Sequence, residues 1–93
     1  MKLKIHASAK IKRRYLLLKA ESREAVEKAI LDYIGILGWA KAEPVWVDMK
    51  SGKDMLVLSV SREAVVNVRA AFEASEAKIL VLRVSGTLAG LKR

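Results

Sequence analysis

The side chains in this sequence that are best suited to binding a ligand are cations, and they are concentrated near the two ends of the chain. Residues 1–14 contain six Lys or Arg and no acid, and residues 78–93 contain four and no acid. Residues 15–77 carry the other eight cations and all ten acids, so the net charge of +8 comes from the ends. Clustered cations bind the phosphates of nucleic acids, whereas a solubilising or thermophile-like surface spreads them evenly. The placement therefore predicts a nucleic-acid partner.

Groups that carry out catalysis are scarce in this chain. There is no cysteine and one histidine, His6, which excludes a thiolate nucleophile, a disulfide and a paired-histidine metal motif. Asp48 and Asp54 flank an expected turn at Ser51-Gly52 and could share a divalent ion, but a solvated charged turn is the favoured interpretation. No glycine-rich phosphate loop is present. We expect no catalytic residue, no metal site and no bound cofactor in the chain itself.

Short strands and helices must position the cations. Apolar patterning predicts helices at 22–37 and 61–74, and strands at 12–20, 40–49, 54–60 and 77–85. The run Ser22-Arg23-Glu24-Ala25-Val26 recurs as Ser61-Arg62-Glu63-Ala64-Val65, and both serines are predicted N-caps. Gly38 is the expected end of the first helix. The buried stripe of that helix is predicted to comprise Val26, Ala29, Ile30, Tyr33 and Leu37.

The order β-α-β-β-α-β predicts an α+β fold, a two-layer ferredoxin-like or RNA-recognition-like sandwich with an antiparallel sheet in the order 4-1-3-2. Pro44 fits because proline cannot donate to a ladder and strand 2 is an edge. The 93 residues suffice for one core. We expect a basic N-terminal segment at 1–11, the sandwich domain at 12–86 and a basic C-terminal tail at 87–93. Without an apolar run that could span a bilayer or serve as a secretory signal, a cytoplasmic location and no membrane contact are expected.

Strand alternation also predicts which side chains line the sheet face that carries no helix, here called the open face. This face is expected to be apolar and to present Tyr15, Leu17, Met55, Val57, Ile79 and Val81. Exposed apolar surface of this extent usually marks an interface, so we expect a protein partner or self-association there; the alternative is that residues 1–11 cover it. Because Tyr15 is the one aromatic side chain expected on the face, base stacking is disfavoured.

The stretch from Ile79 to Arg93 resembles the end of archaeal ribonuclease P protein component 2. In that family the last strand runs into a Ser-Gly-Thr-hydrophobic-x-Gly-Leu-basic tail, and this chain has Ser85-Gly86-Thr87-Leu88-Ala89-Gly90-Leu91-Lys92-Arg93. Arg13-Arg14-Tyr15-Leu16 resembles the family's basic and aromatic entry to strand 1, and residues 61–71 resemble its second helix. The resemblance covers residues 12–93 and implies an RNA-recognition-like α/β sandwich.

The resemblance implies a noncatalytic, RNA-binding subunit of a ribonucleoprotein endonuclease that hydrolyses the 5′ leader from precursor tRNA. In that family the RNA is the catalyst and uses Mg²⁺, and the implied partners are ribonuclease P RNA, ribonuclease P protein component 3 and precursor tRNA. A ferredoxin-like small-molecule-binding regulatory module is the alternative, since this fold hosts many functions.

The family pattern implies RNA-contacting residues at both ends of the chain. Gly86 and Gly90 would permit close backbone approach or a positive φ, and Thr87 would donate to a phosphate oxygen. A plain strand-ending turn is the alternative for residues 85–87. Reversing the charges of Arg13 and Arg14 is expected to weaken RNA binding at a nearly unchanged melting temperature. The complete set is Lys12, Arg13, Arg14, Ser85, Gly86, Thr87, Gly90, Lys92 and Arg93.

Overall fold

A computed structural model of the chain describes residues 12–48 and 55–91. The strands are β1 (Arg13–Lys19), β2 (Val45–Val47), β3 (Met55–Ser61) and β4 (Leu80–Ser85). The helices are α1 (Arg23–Ala42), α2 (Val65–Ala74) and the short α3 (Leu88–Leu91), and a 3₁₀ turn, Arg62–Ala64, precedes α2. The predicted N-terminal segment 1–11 and the predicted turn at Ser51-Gly52 lie outside the described residues.

The four strands form one antiparallel sheet, which confirms the α+β class. Their order is β2-β3-β1-β4, which reads 4-1-3-2 from the opposite edge. β2 is an edge strand and follows Pro44 directly. Its predicted start at residue 40 was wrong, because α1 continues to Ala42, and the strand has three residues.

The core lies between one face of the sheet and helices α1 and α2. Alternate residues of the two central strands point into it and are almost completely buried: Leu16, Leu18, Leu58 and Val60. The helices contribute Val26, Ala29, Ile30, Val68 and Phe72. Burying a large aliphatic side chain stabilises a fold by roughly 1.5–3 kcal/mol, so this cluster supplies most of the driving force for folding.

Helix α1 begins where the sequence predicts but ends later. The Ser22 side chain accepts a hydrogen bond from the Ala25 amide at 3.1 Å, which confirms the N-cap. The predicted end at Gly38 was wrong: the helix closes at Glu43, whose left-handed backbone lets its amide donate to the Trp39 carbonyl at 3.0 Å. The helical pattern is instead interrupted at Gly35, where φ is +73°.

The break at Gly35 changes which side chains α1 buries. Val26, Ala29 and Ile30 lie in the core as predicted. Tyr33 and Leu37 do not, since they are 55% and 81% exposed. The positive φ of Gly35 interrupts the 3.6-residue period, so Leu37 does not continue the buried stripe of the first part. Tyr33 precedes the break and lines a groove between α1 and the end of α2.

The second copy of the repeated pentapeptide starts its helix differently. Ser61 makes no side-chain cap; it is the last residue of β3, and its hydroxyl donates to the Lys41 carbonyl at 3.2 Å. The next amide, that of Arg62, donates to the Lys12 carbonyl at 2.8 Å. Because these strand contacts hold Ser61 in the sheet, a 3₁₀ turn leads into α2, and the predicted cap was wrong.

A bulge in β4 shifts the alternation of that strand. Leu17 is opposite Arg83, but Leu18 is opposite Val81, so Leu82 is the extra residue. As a result Ile79 and Val81 pack with the core, while Leu80 and Leu82 are 49% and 44% exposed. The prediction that Ile79 and Val81 lie on the open face was therefore wrong.

Candidate nucleic-acid interface

The start of β1 and the end of β4 lie side by side. Tyr15 is opposite Ser85, and Arg13 is opposite Ser61 at the end of β3. The start of β1 and the turn after β4 therefore meet at one end of the sheet. Of the cations at 78–93, Lys78 precedes β4 and lies near Lys19 at the other end of the sheet, and Arg83 lies on β4 itself. Lys92 and Arg93, which continue the chain after α3, lie outside the described residues.

Arg14 spans the junction between β1 and β4. A β-carbon placed on Gly86 would lie 3.4 Å from Arg14 Nη1, so the guanidinium runs along the turn that follows β4. The same nitrogen donates to the Arg13 carbonyl at 3.0 Å, and the side chain is partly exposed. The remaining guanidinium donors can bind an anion in a forked geometry.

Two cations from the acid-rich middle of the sequence join this end. Arg62 is exposed and is anchored beside Lys12 by its amide hydrogen bond, and Lys41 is exposed beside Ser61. Sequence reasoning missed Arg62 and Lys41 because only the long-range strand pairing brings them here. We call this end of the sheet, with Lys12, Arg14, Lys41 and Arg62, the basic end. In residues 12–48 and 55–91 none of these four makes an ion pair.

Arg13 has a different role from its neighbour. Its Nε donates to the Ser59 hydroxyl at 2.6 Å and its Nη2 to the Ser59 carbonyl at 3.0 Å. Nη2 also donates to the Glu43 carbonyl, and Nη1 lies 3.5 Å from the Glu43 carboxylate. With 23% of its side chain exposed, Arg13 ties β1 and β3 to the end of α1. Its predicted role as an RNA contact is not supported by this geometry.

The predicted RNA-contacting turn after β4 is held by its own hydroxyls. The Ser85 hydroxyl accepts from the Thr87 amide at 3.2 Å, and the Thr87 hydroxyl accepts from the Gly90 amide at 3.1 Å, capping α3. A β-carbon on Gly90 would lie 2.1 Å from the Ser85 oxygen. The close approach that Gly90 permits is thus to the chain itself, and neither Gly86 nor Gly90 has a positive φ.

The open face is less available than its sequence predicts. Arg83, opposite Leu17 on this face, donates to the Gly90 carbonyl at 3.1 Å, which places α3 over the strands β1 and β4. Leu91 of α3 is buried but lies outside the core cluster. Val57 is 1% exposed, so it cannot contact a partner as predicted. Tyr15, Leu17 and Met55 are half-buried.

The remaining acidic candidates do not form a site in the part of the chain that the structure describes. Asp48 pairs with Arg23 at 2.6 Å, and Arg23 also lies over the Trp46 ring, 5.2 Å from its centre. Asp54 lies outside the described residues. Within residues 12–48 and 55–91, no three His, Cys, Asp or Glu side chains are grouped so that they could hold a metal ion. In the same ranges no helix has the length and apolar character needed to cross a membrane.

Neither a scan against protein-family models nor a search of curated proteins found a match for this chain. The resemblance to ribonuclease P protein component 2 therefore stands on the residues quoted for it.

Proposed function

We propose that this chain is a noncatalytic RNA-binding subunit of a ribonucleoprotein, and that the ribonucleoprotein is ribonuclease P. The observation that carries the proposal is the convergence of Lys12, Arg14 and Arg62 at one end of the sheet, without ion-pair partners among the described residues. The C-terminal signature supplies the particular assembly. The leader-cleaving activity then belongs to the RNA and its Mg²⁺, in an archaeal cytoplasm.

The arrangement suits an RNA backbone better than RNA bases. Exposed cations attract phosphates and release counterions, which makes binding steeply salt-dependent. Base readout by a sheet of the RNA-recognition type needs exposed aromatic side chains, whereas Tyr15 on the open face is half-buried. A subunit of this kind neutralises phosphates that crowd around a folded RNA, so the RNA needs less Mg²⁺ to fold.

The contacts within the turn after β4 separate the predicted RNA-binding residues into two groups, those assigned to phosphate contacts and those that hold the local structure. Lys12, Arg14 and Arg62 are assigned the direct phosphate contacts, with Lys41 at their border. Ser85, Thr87 and Gly90 shape the turn and cap α3, from which Lys92 and Arg93 follow directly in the sequence. Arg13 holds the strand from which Lys12 and Arg14 extend.

The proposal is tested by the double variant Arg14→Glu/Arg62→Glu. We expect affinity for ribonuclease P RNA at 0.1 M salt to fall by about 100-fold or more. The slope of log affinity against log salt should become shallower by roughly two, because about 0.7–0.9 counterions are released per phosphate neutralised. Arg69→Glu, at an exposed arginine of α2, is the matched control and should change affinity far less. Equal slopes for the double variant and the wild type would contradict the assigned contacts.

A second readout tests the assembly itself. In reconstitution with ribonuclease P RNA and protein component 3, the wild-type chain should lower the Mg²⁺ concentration needed for leader cleavage, and the double variant should not. If wild-type protein leaves that requirement unchanged, the chain is not a ribonuclease P subunit. Cleavage of RNA by the purified chain alone would contradict its noncatalytic role.

The small-molecule-binding alternative has one feature in its favour. A groove of about 540 Å³ lies between α1 and the end of α2, and alanines of both helices line it together with Lys28, Asp32 and Glu76. A hydrogen bond to Asp32 and the charge of that carboxylate raise the pKa of Lys28. This function predicts a ligand-dependent rise in melting temperature together with indifference to RNA.

A further inference from the structure

A second group of cations lies at the end of the sheet opposite the basic end. Lys19 and Lys78 line one hollow of about 380 Å³ there, together with Ala20, Glu21 and Leu80. Both lysines are exposed, and in residues 12–48 and 55–91 neither forms an ion pair. We call this hollow the far hollow. None of the phosphate contacts assigned to the basic end uses its two lysines.

The two lysines meet because β1 and β4 are neighbouring antiparallel strands. Lys19 is the last residue of β1 and is paired with Leu80, the first residue of β4. Lys78 lies two residues before Leu80, in the segment that connects α2 to β4. Glu76, a further two residues back, lines the groove between the helices instead. The strand pairing that forms the basic end at one end of the sheet therefore forms the far hollow at the other.

A third cation lies between the basic end and the far hollow. Arg83 is exposed on the open face opposite Leu17, which lies between Tyr15 and Lys19 on β1. One of its guanidinium nitrogens donates to the Gly90 carbonyl, which leaves other donors for an anion. From Tyr15, beside the basic end, to Lys19 the strand rises by about 13 Å at about 3.3 Å per residue. One strand of a nucleic-acid duplex rises by about 3.4 Å per nucleotide, so about four nucleotides cover this distance.

The composition of the far hollow fits a ribonucleotide better than a bare phosphate. The two ammonium groups attract a phosphate. The Glu21 carboxylate would repel a phosphate placed against it, but it accepts a hydrogen bond from a hydroxyl, and the ribose 2′-hydroxyl is such a donor. Leu80, which is 49% exposed, and Ala20 supply apolar surface for the carbon atoms of the sugar.

We infer that the far hollow binds one ribonucleotide of an RNA strand whose neighbouring phosphates lie at the basic end. The inference rests on the proposed function and extends its RNA contact along β1 and β4. Lys19 and Lys78 bind the phosphate, and Glu21 accepts from the 2′-hydroxyl. Arg83 contacts a phosphate between the two ends. Contacts of this kind need no exposed aromatic side chain, so they agree with the half-buried Tyr15.

Removing the two lysine charges tests the phosphate contact. The variant is Lys19→Gln/Lys78→Gln, and the matched control is Lys28→Gln/Arg69→Gln, which removes two charges from exposed positions of α1 and α2. With ribonuclease P RNA as the probe, we expect the variant to lose about tenfold in affinity at 0.1 M salt. Its slope of log affinity against log salt should become shallower by roughly one to two.

The control should keep the wild-type slope, because α1 and α2 pack on the opposite face of the sheet. Equal slopes for the far-hollow variant and the wild type would overturn the inference, and this is also the result expected if the hollow binds only a free nucleotide.

A second titration tests the ribose contact. A single-stranded oligoribonucleotide and the oligodeoxyribonucleotide of the same base sequence are each titrated with wild type and with Glu21→Ala. Loss of an acid should raise the affinity for both, but the preference for RNA over DNA should fall at least about threefold, since only RNA has the 2′-hydroxyl. Glu24→Ala, at an exposed acid in the first turn of α1, is the matched control and should keep the wild-type preference. An unchanged preference in Glu21→Ala would overturn the assignment of a ribonucleotide to the hollow.

Failure of this inference and failure of the proposed function give different results. If the wild-type chain does not bind ribonuclease P RNA, both are refuted. If Arg14→Glu/Arg62→Glu weakens binding and the far-hollow variant does not, only this inference is refuted. Lys78→Gln alone is a second variant that leaves the strands intact, because Lys78 lies outside β4. It should keep the wild-type melting temperature and still make the salt slope shallower, and an unchanged slope would contradict the phosphate contact.

Discussion

The two faces of the sheet are held by different kinds of interaction. On the helix face, Leu16, Leu18, Leu58 and Val60 are at most 1% exposed and pack against α1 and α2. On the open face, Arg13 is hydrogen-bonded to Ser59 and Glu43, and the short α3 lies over the strands. The helix face is held by apolar packing alone, whereas the open face combines a few buried apolar side chains, such as Val57 and Leu91, with directional hydrogen bonds. Stability should therefore respond to different changes on each face.

The largest expected difference in stability is between alanine variants of two adjacent leucines. Leu16 is completely buried on the helix face, and Leu17 is half-buried on the open face. We expect Leu16→Ala to lower the free energy of unfolding by about 2–5 kcal/mol through lost burial and a residual cavity. Leu17→Ala should lose less than half as much. Urea denaturation monitored by circular dichroism measures both, and equal losses would remove the distinction between the faces.

The next largest difference in stability is expected between alanine variants of two adjacent arginines. Arg13→Ala removes the donors to Ser59 and Glu43, and buried acceptors left unsatisfied cost about 1–3 kcal/mol. Arg14→Ala, at a partly exposed position beside Gly86, should change stability by no more than about 0.5 kcal/mol. The same urea titration applies. RNA affinity of Arg13→Ala should fall only as far as the fraction of unfolded protein rises, because Arg13 holds the strand and does not contact RNA. A larger loss of affinity would indicate a direct contact.

The smallest difference in stability is expected between alanine variants of Gly90, in α3, and Gly86, in the turn before it. Gly90→Ala places a β-carbon 2.1 Å from the Ser85 hydroxyl oxygen, so either that hydroxyl must rotate away from the Thr87 amide or α3 must shift. We expect a loss of roughly 1 kcal/mol and faster amide exchange in α3, a local opening of the open face. Gly86→Ala meets Arg14 at an ordinary contact distance and should be nearly neutral. Slower or unchanged exchange in Gly90→Ala would show that the turn has room to adapt.

The sequence predicts the fold class because its signals are local. Caps, apolar spacing and Pro44 indicate the number and type of elements, and the Ser22 cap forms as predicted. The identical Ser61 segment does not, since its backbone is already committed to strand pairing. The two faces of β4 were assigned wrongly for another reason. Residues 79–82 are all apolar, so alternation does not show which of them face the core, and the sequence pattern gives no sign of the bulge.

The sequence predicts the part of the candidate site that is formed by the ends of neighbouring strands. The start of β1 and the turn after β4 do meet, because they flank neighbouring antiparallel strands. Arg13 and Arg14 could not be told apart, since they have the same chemistry and adjacent positions. Arg62 and Lys41 could not be found at all, because their approach to Lys12 and Ser61 depends on pairings between residues distant in sequence.

The bulge in β4 affects how readily this protein aggregates through the edge of its sheet. β4 is the longer of the two edge strands, and a straight edge with exposed Leu80 and Leu82 would be a template for strand addition from another molecule. The extra residue twists that edge and interrupts its regular row of donors and acceptors. A variant with Leu82 deleted should restore a regular ladder and form fibrils more readily, even though it exposes one leucine fewer, because the edge of β4 is then straight. Faster fibril formation would identify the bulge as protection against misassembly.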